Sequence, residues 1–404
     1  MSEDAPTRDT SDEEARAGVT AAAGFEAAGV AAGLKSKGGP DVALVVNRGP
    51  LDAAAAVFTG NRAKANPIIW SQEAIRDGRA SAIVLNSGGA NCFTGAFGFQ
   101  TTHLTAELAA ELLGVSAGDV LVASTGLIGE GDELFRARVL DGVRAAVPAL
   151  AATGEAGRDA SLAIMTTDTV AKRAAITSPD GWTIGGMAKG AGMLAPALAT
   201  MLVVITTDAV LDSAALDAHL RAATRQSFDR LDSDGCMSTN DHVTLMASGA
   251  SGVVPDAAAF QEALDALTRE LAQQLMRDAE GASHDITIEV TGAASEADAV
   301  EVGRSVARNN LFKAAVYGND PNWGRVLAAI GTTGAAFDPY DVDVTINGVR
   351  VCHRGGPDRP RTEVDLAPRA VHLGIGLNAG AASATIWTND LTHDYVHENS
   401  AYSS

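Results

Sequence analysis

A mixed α/β fold of layered sheets and helices is what this sequence predicts, and three observations predict it. Short runs rich in β-branched residues recur along the chain, Asp41–Asn47 (DVALVVN) and Asp119–Ser124 (DVLVAS) among them, and read as buried strands. Between them lie stretches with apolar residues at helical spacing, as at Leu104, Leu108 and Leu112. The two kinds alternate throughout, but without the strict strand–helix–strand rhythm of a doubly wound sheet. Aromatic residues make up 4% of the chain against 46% hydrophobic overall, so the core is built from Ala, Val, Leu and Ile. At 404 residues there is room for two sizeable cores or one large one.

Taken in order, residues 1–18 are acidic and polar and read as a disordered tail; order is expected from Val19. Asp41–Asn47 and Ala53–Thr59 read as paired strands joined by a turn at Arg48-Gly49-Pro50. Ser81–Asn86 is a further strand, followed by a glycine-rich turn that opens a helix over Gln100–Leu113. Asp119–Ser124 runs into Thr125-Gly126, and Glu133–Leu150 is helical. Leu162–Thr169 (LAIMTTDT) and Lys172–Thr177 read as strands, and Trp182–Ala188 leads into a glycine-rich loop. Helices are expected over Asp212–Arg225, Ala257–Met276 and Glu296–Asn309. Strands are expected over His242–Ala247, Asp285–Val290, Lys313–Tyr317, Asp341–Ile346 and within Ala370–Leu391. No internal repeat of solenoid length is present.

Composition excludes several classes. The net charge of −20 repels phosphate backbones and anionic membranes, so neither nucleic acid nor membrane is an expected partner. Cys92, Cys236 and Cys352 are odd in number and far apart, which argues against a disulfide scaffold and for a reducing, cytoplasmic setting. No apolar run is long enough to span a bilayer, and the N-terminus has no signal-peptide pattern. GxSxG, GxxxxGK[ST] and strand-linked GxGxxG motifs are all missing. His393 and His397 have a spacing that suits a metal, but the glutamate of an HExxH site is missing; two polar residues near a chain end are the simpler reading.

The most informative stretch is Lys189–Ala209, KGAGMLAPALATMLVVITTDA. A flexible loop containing Gly190, Gly192 and Pro196 delivers Thr200 to the start of an apolar strand. On pattern alone this is a glycine-rich connector and a threonine suited to the pleat. The wording KGxGMxxPxxATML, however, closely resembles the cleavage segment of the ornithine acetyltransferase (glutamate N-acetyltransferase) family. NSGGANCFTG, SFDRLDSDGCMSTND, YGNDPNWGR and the ending NSAYSS are similarly family-like, so the likeness runs from about residue 20 to the last. Cys236, where a small hydroxyl residue is expected, and Ser404, where Thr is common, depart from the pattern.

The resemblance implies an N-terminal-nucleophile-like fold of mixed sheets packed on helices, with a second α/β domain at about 210–340. It implies self-cleavage at Ala199–Thr200 into an α chain, 19–199 beyond the tail, and a β chain, 200–404, assembling as a heterotetramer or larger. Thr200 becomes the nucleophile, and a Thr-Gly pair, here Thr125 and Gly126, forms the oxyanion hole. Thr166 (with Thr167 as the alternative), Lys189, Thr200, Glu280, Asn399 and Ser404 bind substrate. The implied reaction moves acetyl from N2-acetylornithine to L-glutamate through an acetyl-Thr200 ester, in arginine biosynthesis. It needs no cofactor and no metal, and acetyl-CoA is a further donor for some members. Two alternatives stay open: a self-processing aminopeptidase or amidase of the same plan, and an uncleaved metabolite-binding protein.

Overall fold

The computed structural model describes residues 18–194 and 201–401. Ala199, Thr200, Ser404 and the first 17 residues therefore lie outside the described residues. Along the chain come β1 (Phe25–Val30), β2 (Val42–Asn47), β3 (Ala53–Phe58), α1 (Asn66–Ala74), β4 (Ala82–Asn86), α2 (Gly95–Leu113) and β5 (Val120–Ser124). Then follow α3 (Glu133–Ala146), α4 (Gly154–Ala163), β6 (Lys172–Thr177), β7 (Thr183–Lys189), β8 (Leu202–Thr207), α5 (Ser213–Gln226), β9 (His242–Ala247) and α6 (Ala257–Arg277). The remainder holds β10 (Asp285–Ala293), α7 (Glu296–Ala307), α8 (Asn310–Tyr317), α9 (Trp323–Ile330), β11 (Asp343–Ile346), β12 (Val349–His353), β13 (Gly356–Pro357), β14 (Ala370–Gly376), β15 (Ala382–Asn389) and α10 (His393–Ala401).

Two sheets form the centre. One has the order β1-β2-β4-β5, the other β3-β9-β8-β7-β6. Their inner faces meet in one core, where Phe25, Val45, Leu85 and Leu121 of the first pack with Met187, Leu202, Val204 and Met246 of the second. The outer face of the first sheet is covered by α2 and α3, through Ala106, Ala109 and Val143. The outer face of the second is covered by α5 and α6, through Leu216, Leu220, Leu264 and Leu271. The result is a helix–sheet–sheet–helix sandwich, and it explains why β2 and β8 open on unbroken apolar runs and why even His242 and Thr244 of β9 are buried. With both faces covered there is no wet side on which a polar residue would alternate.

A third sheet, β13-β12-β11-β14-β10-β15, packs against α7, α8 and α9 around its own core of Ile288, Val290, Val306, Leu373 and Ile386. Here the strands alternate: in β10, Ile286, Ile288 and Val290 are buried, while Thr287 and Glu289 lie on the more open side. Among the described residues no helix is long and apolar enough to cross a membrane.

Three expectations are corrected. The strands at 41–47 and 53–59 do not pair: β2 lies between β1 and β4, and β3 pairs with β9 in the other sheet. The turn at Arg48–Pro50 instead carries the chain across the sandwich. It is held by Asn47, whose side-chain oxygen accepts from the Gly49 amide and whose Nδ2 donates to the Leu51 and Ala247 carbonyls. Residues 162–169 are not a strand. α4 ends at Ala163, and the β-branched TTDT that follows is a loop tied down by side chains. Residues 313–317 are helical: Asn309 caps α8 by accepting from the Phe312 amide, and the face carrying Phe312, Ala315 and Val316 is buried. Tertiary burial has overridden local strand preference at both places.

Candidate active site

The site forms where the two central sheets and the third-sheet region meet. β7 ends at Lys189, which is 1% exposed, and its Nζ donates to Thr166 Oγ1 at 2.8 Å and Thr125 Oγ1 at 3.1 Å. Burial pulls the Lys189 ammonium below its ordinary pKa, and the neighbouring Asp168 carboxylate opposes that shift. Each hydroxyl accepts from the lysine, so its own proton is left free to donate into the site.

The TTDT loop is organised by its aspartate. Asp168 Oδ2 accepts from the Thr166 amide at 3.0 Å, and Oδ1 accepts from the Gly190 amide at 2.7 Å and from Lys172 Nζ at 2.6 Å. Burial alone would raise this carboxyl, but the Lys189 and Lys172 charges together outweigh it and hold Asp168 below the usual carboxylate range. Lys172 also meets Asp278 at 2.5 Å, and Asp278 in turn binds the Thr169 amide and hydroxyl. Two cations and two carboxylates thus form a buried chain that fixes Lys189 and Thr166 relative to each other.

Thr125 and Gly126 lie just past the end of β5. The Gly126 φ of +130° favours glycine, and a Cβ there would fall 2.4 Å from the Gly89 nitrogen. Strand-like contact between Thr125 and Gly89 closes this turn, and among the described residues the Gly126 amide has no acceptor. An unpaired amide and a hydroxyl with a free proton, side by side, are the donors an oxyanion hole requires. Asn240 ties the surroundings together by donating to the Ala90 and Ser124 carbonyls.

Gly126, Thr166, Glu280 and Asn399 all line one pocket of about 680 Å³. Asn399 Nδ2 donates to Glu280 Oε2 at 3.0 Å, which ties α10 to that carboxylate. Thr167 lines the pocket too, but only Thr166 bonds to Lys189. The loop after Lys189 passes against Glu280: the Glu280 amide donates to the Ala191 carbonyl, and a Cβ on Gly192 would sit 2.6 Å from the carboxylate. Gly192 therefore provides space, while Gly190, with φ +154°, provides the unusual dihedral. The Met201 amide donates to Asp241 Oδ1 at 3.2 Å. Asp241 is wholly buried, and burial pushes its carboxyl well above the ordinary range. The His393 ring packs edge-on against Tyr317.

The structure brings together Thr125, Gly126, Thr166, Lys189, Glu280 and Asn399, from five separate parts of the chain. Sequence reasoning missed Asp168, Lys172, Asp278 and Asp241. Asp168 stood inside the TTDT motif and Asp241 ended SFDRLDSDGCMSTND, but nothing local distinguishes a buried aspartate from a solvated one.

A pocket lined by Gly126, Thr166 and Glu280, with Lys189 buried behind Thr166 at the seam of a helix–sheet–sheet–helix sandwich, offers the donors and the carboxylate that an acyl-transfer enzyme needs. Comparison with known proteins agrees and narrows it. The ArgJ family model matches residues 26–404. The chain is 63% identical over 386 residues to the arginine biosynthesis bifunctional protein ArgJ of Streptomyces avermitilis, covering 96% of this chain and 100% of that protein. Against the ArgJ of Thermobifida fusca it is 60% identical, with the same coverage. Ornithine acetyltransferase from Mycobacterium tuberculosis, solved with ornithine, matches at 49% identity and a TM-score of 0.44, covering 46% of this chain and 96% of that one. The chain belongs to the ArgJ family, and it is an acyltransferase of arginine biosynthesis.

Proposed function

We propose that the protein cleaves itself at Ala199–Thr200 and then moves acetyl from N2-acetylornithine to L-glutamate through an ester on Thr200. The observation that supports this best is the Lys189 ammonium bridging the Thr125 and Thr166 hydroxyls, at the end of the strand that leads into the cleavage segment. In the cleavage step the Thr200 hydroxyl attacks the Ala199 carbonyl, and the resulting ester is hydrolysed. Until then the Thr200 nitrogen is an amide without basicity. Afterwards it is an α-amine with a pKa of roughly 7.7–8.0, able to take the proton from its own hydroxyl.

Acetyl transfer then proceeds in two halves. Thr200 Oγ attacks the acetyl carbonyl, the oxyanion is met by the Thr125 hydroxyl and Gly126 amide, and ornithine leaves as its amine takes up the proton. The amine of glutamate attacks the ester, Thr200 recovers its proton, and N-acetylglutamate departs. One N-acetyl amino acid replaces another, so no nucleotide or metal is required. Lys189 suits an α-carboxylate and Glu280 an ammonium. The 199-residue chain would supply β3, β6 and β7, and the other chain β8 and β9, of one sheet. Both chains would then stay locked together and assemble further, as a heterotetramer or larger, in the cytoplasm. Acetyl-CoA as a second donor and Ser404 as a substrate contact belong to the same reading.

A denaturing gel with N-terminal sequencing tests it. Two bands near half length, the second beginning Thr-Met-Leu, and ping-pong initial-rate kinetics are expected. Thr200→Ala should give one full-length band and no acetyl exchange. A single intact chain that still exchanged acetyl groups would overturn the reading.

A further inference from the structure

We propose that Lys37, on the loop spanning 34–40, holds the side-chain carboxylate of the acceptor amino acid and so sets acceptor specificity. This rests on the acetyl exchange described above. A single ester at a single residue obliges two amino acids to use the same pocket in turn. One, ornithine, carries a positive side chain; the other, glutamate, a negative one. A site with charge of one sign would repel one of them, and a pocket serving both needs separate partners for the two ends.

The pocket holds both signs. Glu280 and Glu398, from the segment after α6 and from α10, face the same space as Lys35 and Lys37. The cations of this region are not interchangeable. Lys189 donates to two hydroxyls and has its remaining N–H for the α-carboxylate common to both amino acids, and Lys172 is committed to two carboxylates. Lys35 is half-buried, its Nζ donating to the Pro40 and Leu162 carbonyls. Lys37 is exposed and has no hydrogen-bond or ion-pair partner among the described residues. Within a chain of 50 acidic and 30 basic residues, that leaves it as the unused cation on the pocket wall.

The loop presents this lysine in a defined way. Buried Asp41 accepts from the Ala32, Leu34 and Lys35 amides at 2.6, 2.6 and 3.2 Å, which anchors the loop's entry. A turn closes from the Gly38 amide to the Lys35 carbonyl at 3.1 Å, and the positive φ values of Gly38 and Gly39 complete the reversal. Leu34 lies so close to Gly88 that a Cβ on that glycine would fall 2.8 Å from the Leu34 carbonyl carbon. Gly88 and Gly89 are the segment against which Gly126 packs. The loop is therefore seated directly on the turn that carries the oxyanion donors, next to where the acyl group reacts.

The test is Lys37→Gln in the otherwise complete protein, assayed with glutamate and glutamine as acceptors at saturating N2-acetylornithine. The KM for glutamate should rise about tenfold with kcat nearly kept, as expected for lost binding of one exposed, charge-assisted contact. Glutamine, which lacks the charge, should be unaffected, so the parent's preference for glutamate collapses. Lys37→Arg should restore it, and added salt should raise the glutamate KM of the parent but not of the Gln variant. An unchanged glutamate KM overturns the proposal. So does an equal rise in KM for glutamine or for N2-acetylornithine, since a loop with a merely structural role would affect every ligand alike. Absence of any acetyl transfer to glutamate by the parent protein would instead overturn the exchange itself, before any variant is compared.

Discussion

The central sandwich and the third sheet bury their strands in different ways. In β10 the buried residues alternate with open ones, and pairs such as Arg350–Asp358 and Arg354–Asp341 sit at the surface, although Lys313 and Asp390 of this region are buried. In the second central sheet every residue of β8 and β9 is buried, and β7 carries a lysine at its buried end. Beside it, Lys172, Asp168 and Asp278 meet with almost no exposure. Burying charge is expensive, and an apolar cluster of the same volume would commonly be as stable or more so. The sandwich bears that cost where the charges fix two hydroxyls around one ammonium. The third sheet packs its helices through an apolar core of Ile288, Val306, Leu373 and Ile386. The site's buried charges at Lys189 thus belong to the sandwich, and the third sheet adds an apolar core of its own.

The largest effect is expected from Asp168→Ala. It removes the carboxylate shared by Lys172 and Lys189, leaving Lys172 with Asp278, and should cost about 3–5 kcal/mol while abolishing acetyl exchange in whatever remains folded. Thermal melting and activity per folded molecule would read the two effects separately; full activity in the folded fraction would refute the positioning role. Leu373→Ala in the third-sheet core should cost about 2–5 kcal/mol, since Leu373 is fully buried. Its activity per folded molecule should stay within about twofold of the parent, because the change touches no charge of the site. An equal loss of both would show that the regions are not separable.

A third test concerns pH. Burial pushes His242 down to about 3, so it is neutral in the folded protein, whereas in the unfolded chain it titrates near its ordinary 6.5. The folded pKa is the lower one, so the unfolded state binds more protons as the medium acidifies. Stability from this residue is fully present above about pH 6.5 and is lost as the pH falls toward 3. His242→Leu should flatten the melting temperature's dependence over that window; an unchanged slope would place the acid sensitivity elsewhere. The smallest effect belongs to the surface. Arg144→Ala removes an exposed pair with Asp141 and should shift stability by no more than about 0.5 kcal/mol, with acetyl exchange unchanged.

Much of the site was legible in the chain as words. Thr125-Gly126, Thr166, Lys189, Glu280 and Asn399 were all named from their motifs, and all converge on one pocket wall or its immediate backing. Strands with one open face, such as β10, were legible from period, as were the long helices α2 and α6. The hairpin expected across Arg48–Pro50 failed for a physical reason. A strand buried on both faces carries no alternation and so no record of which neighbour it pairs with. TTDT and Lys313–Tyr317 failed because β-branched and aromatic residues suit a strand only if the surroundings offer one; here a buried aspartate and an asparagine cap offered something else.

The family and the mixed class of the fold could be read from the chain alone, because those depend on residue type and short-range order. Only the tertiary structure decided which sheet each strand joined, that Lys189 lies between two hydroxyls, and that Asp168, Lys172 and Asp278 hold it there. The reason is that burial and the sign of a neighbour's charge are properties of the packed chain. An aspartate in water and one sealed beside two lysines are written with the same letter.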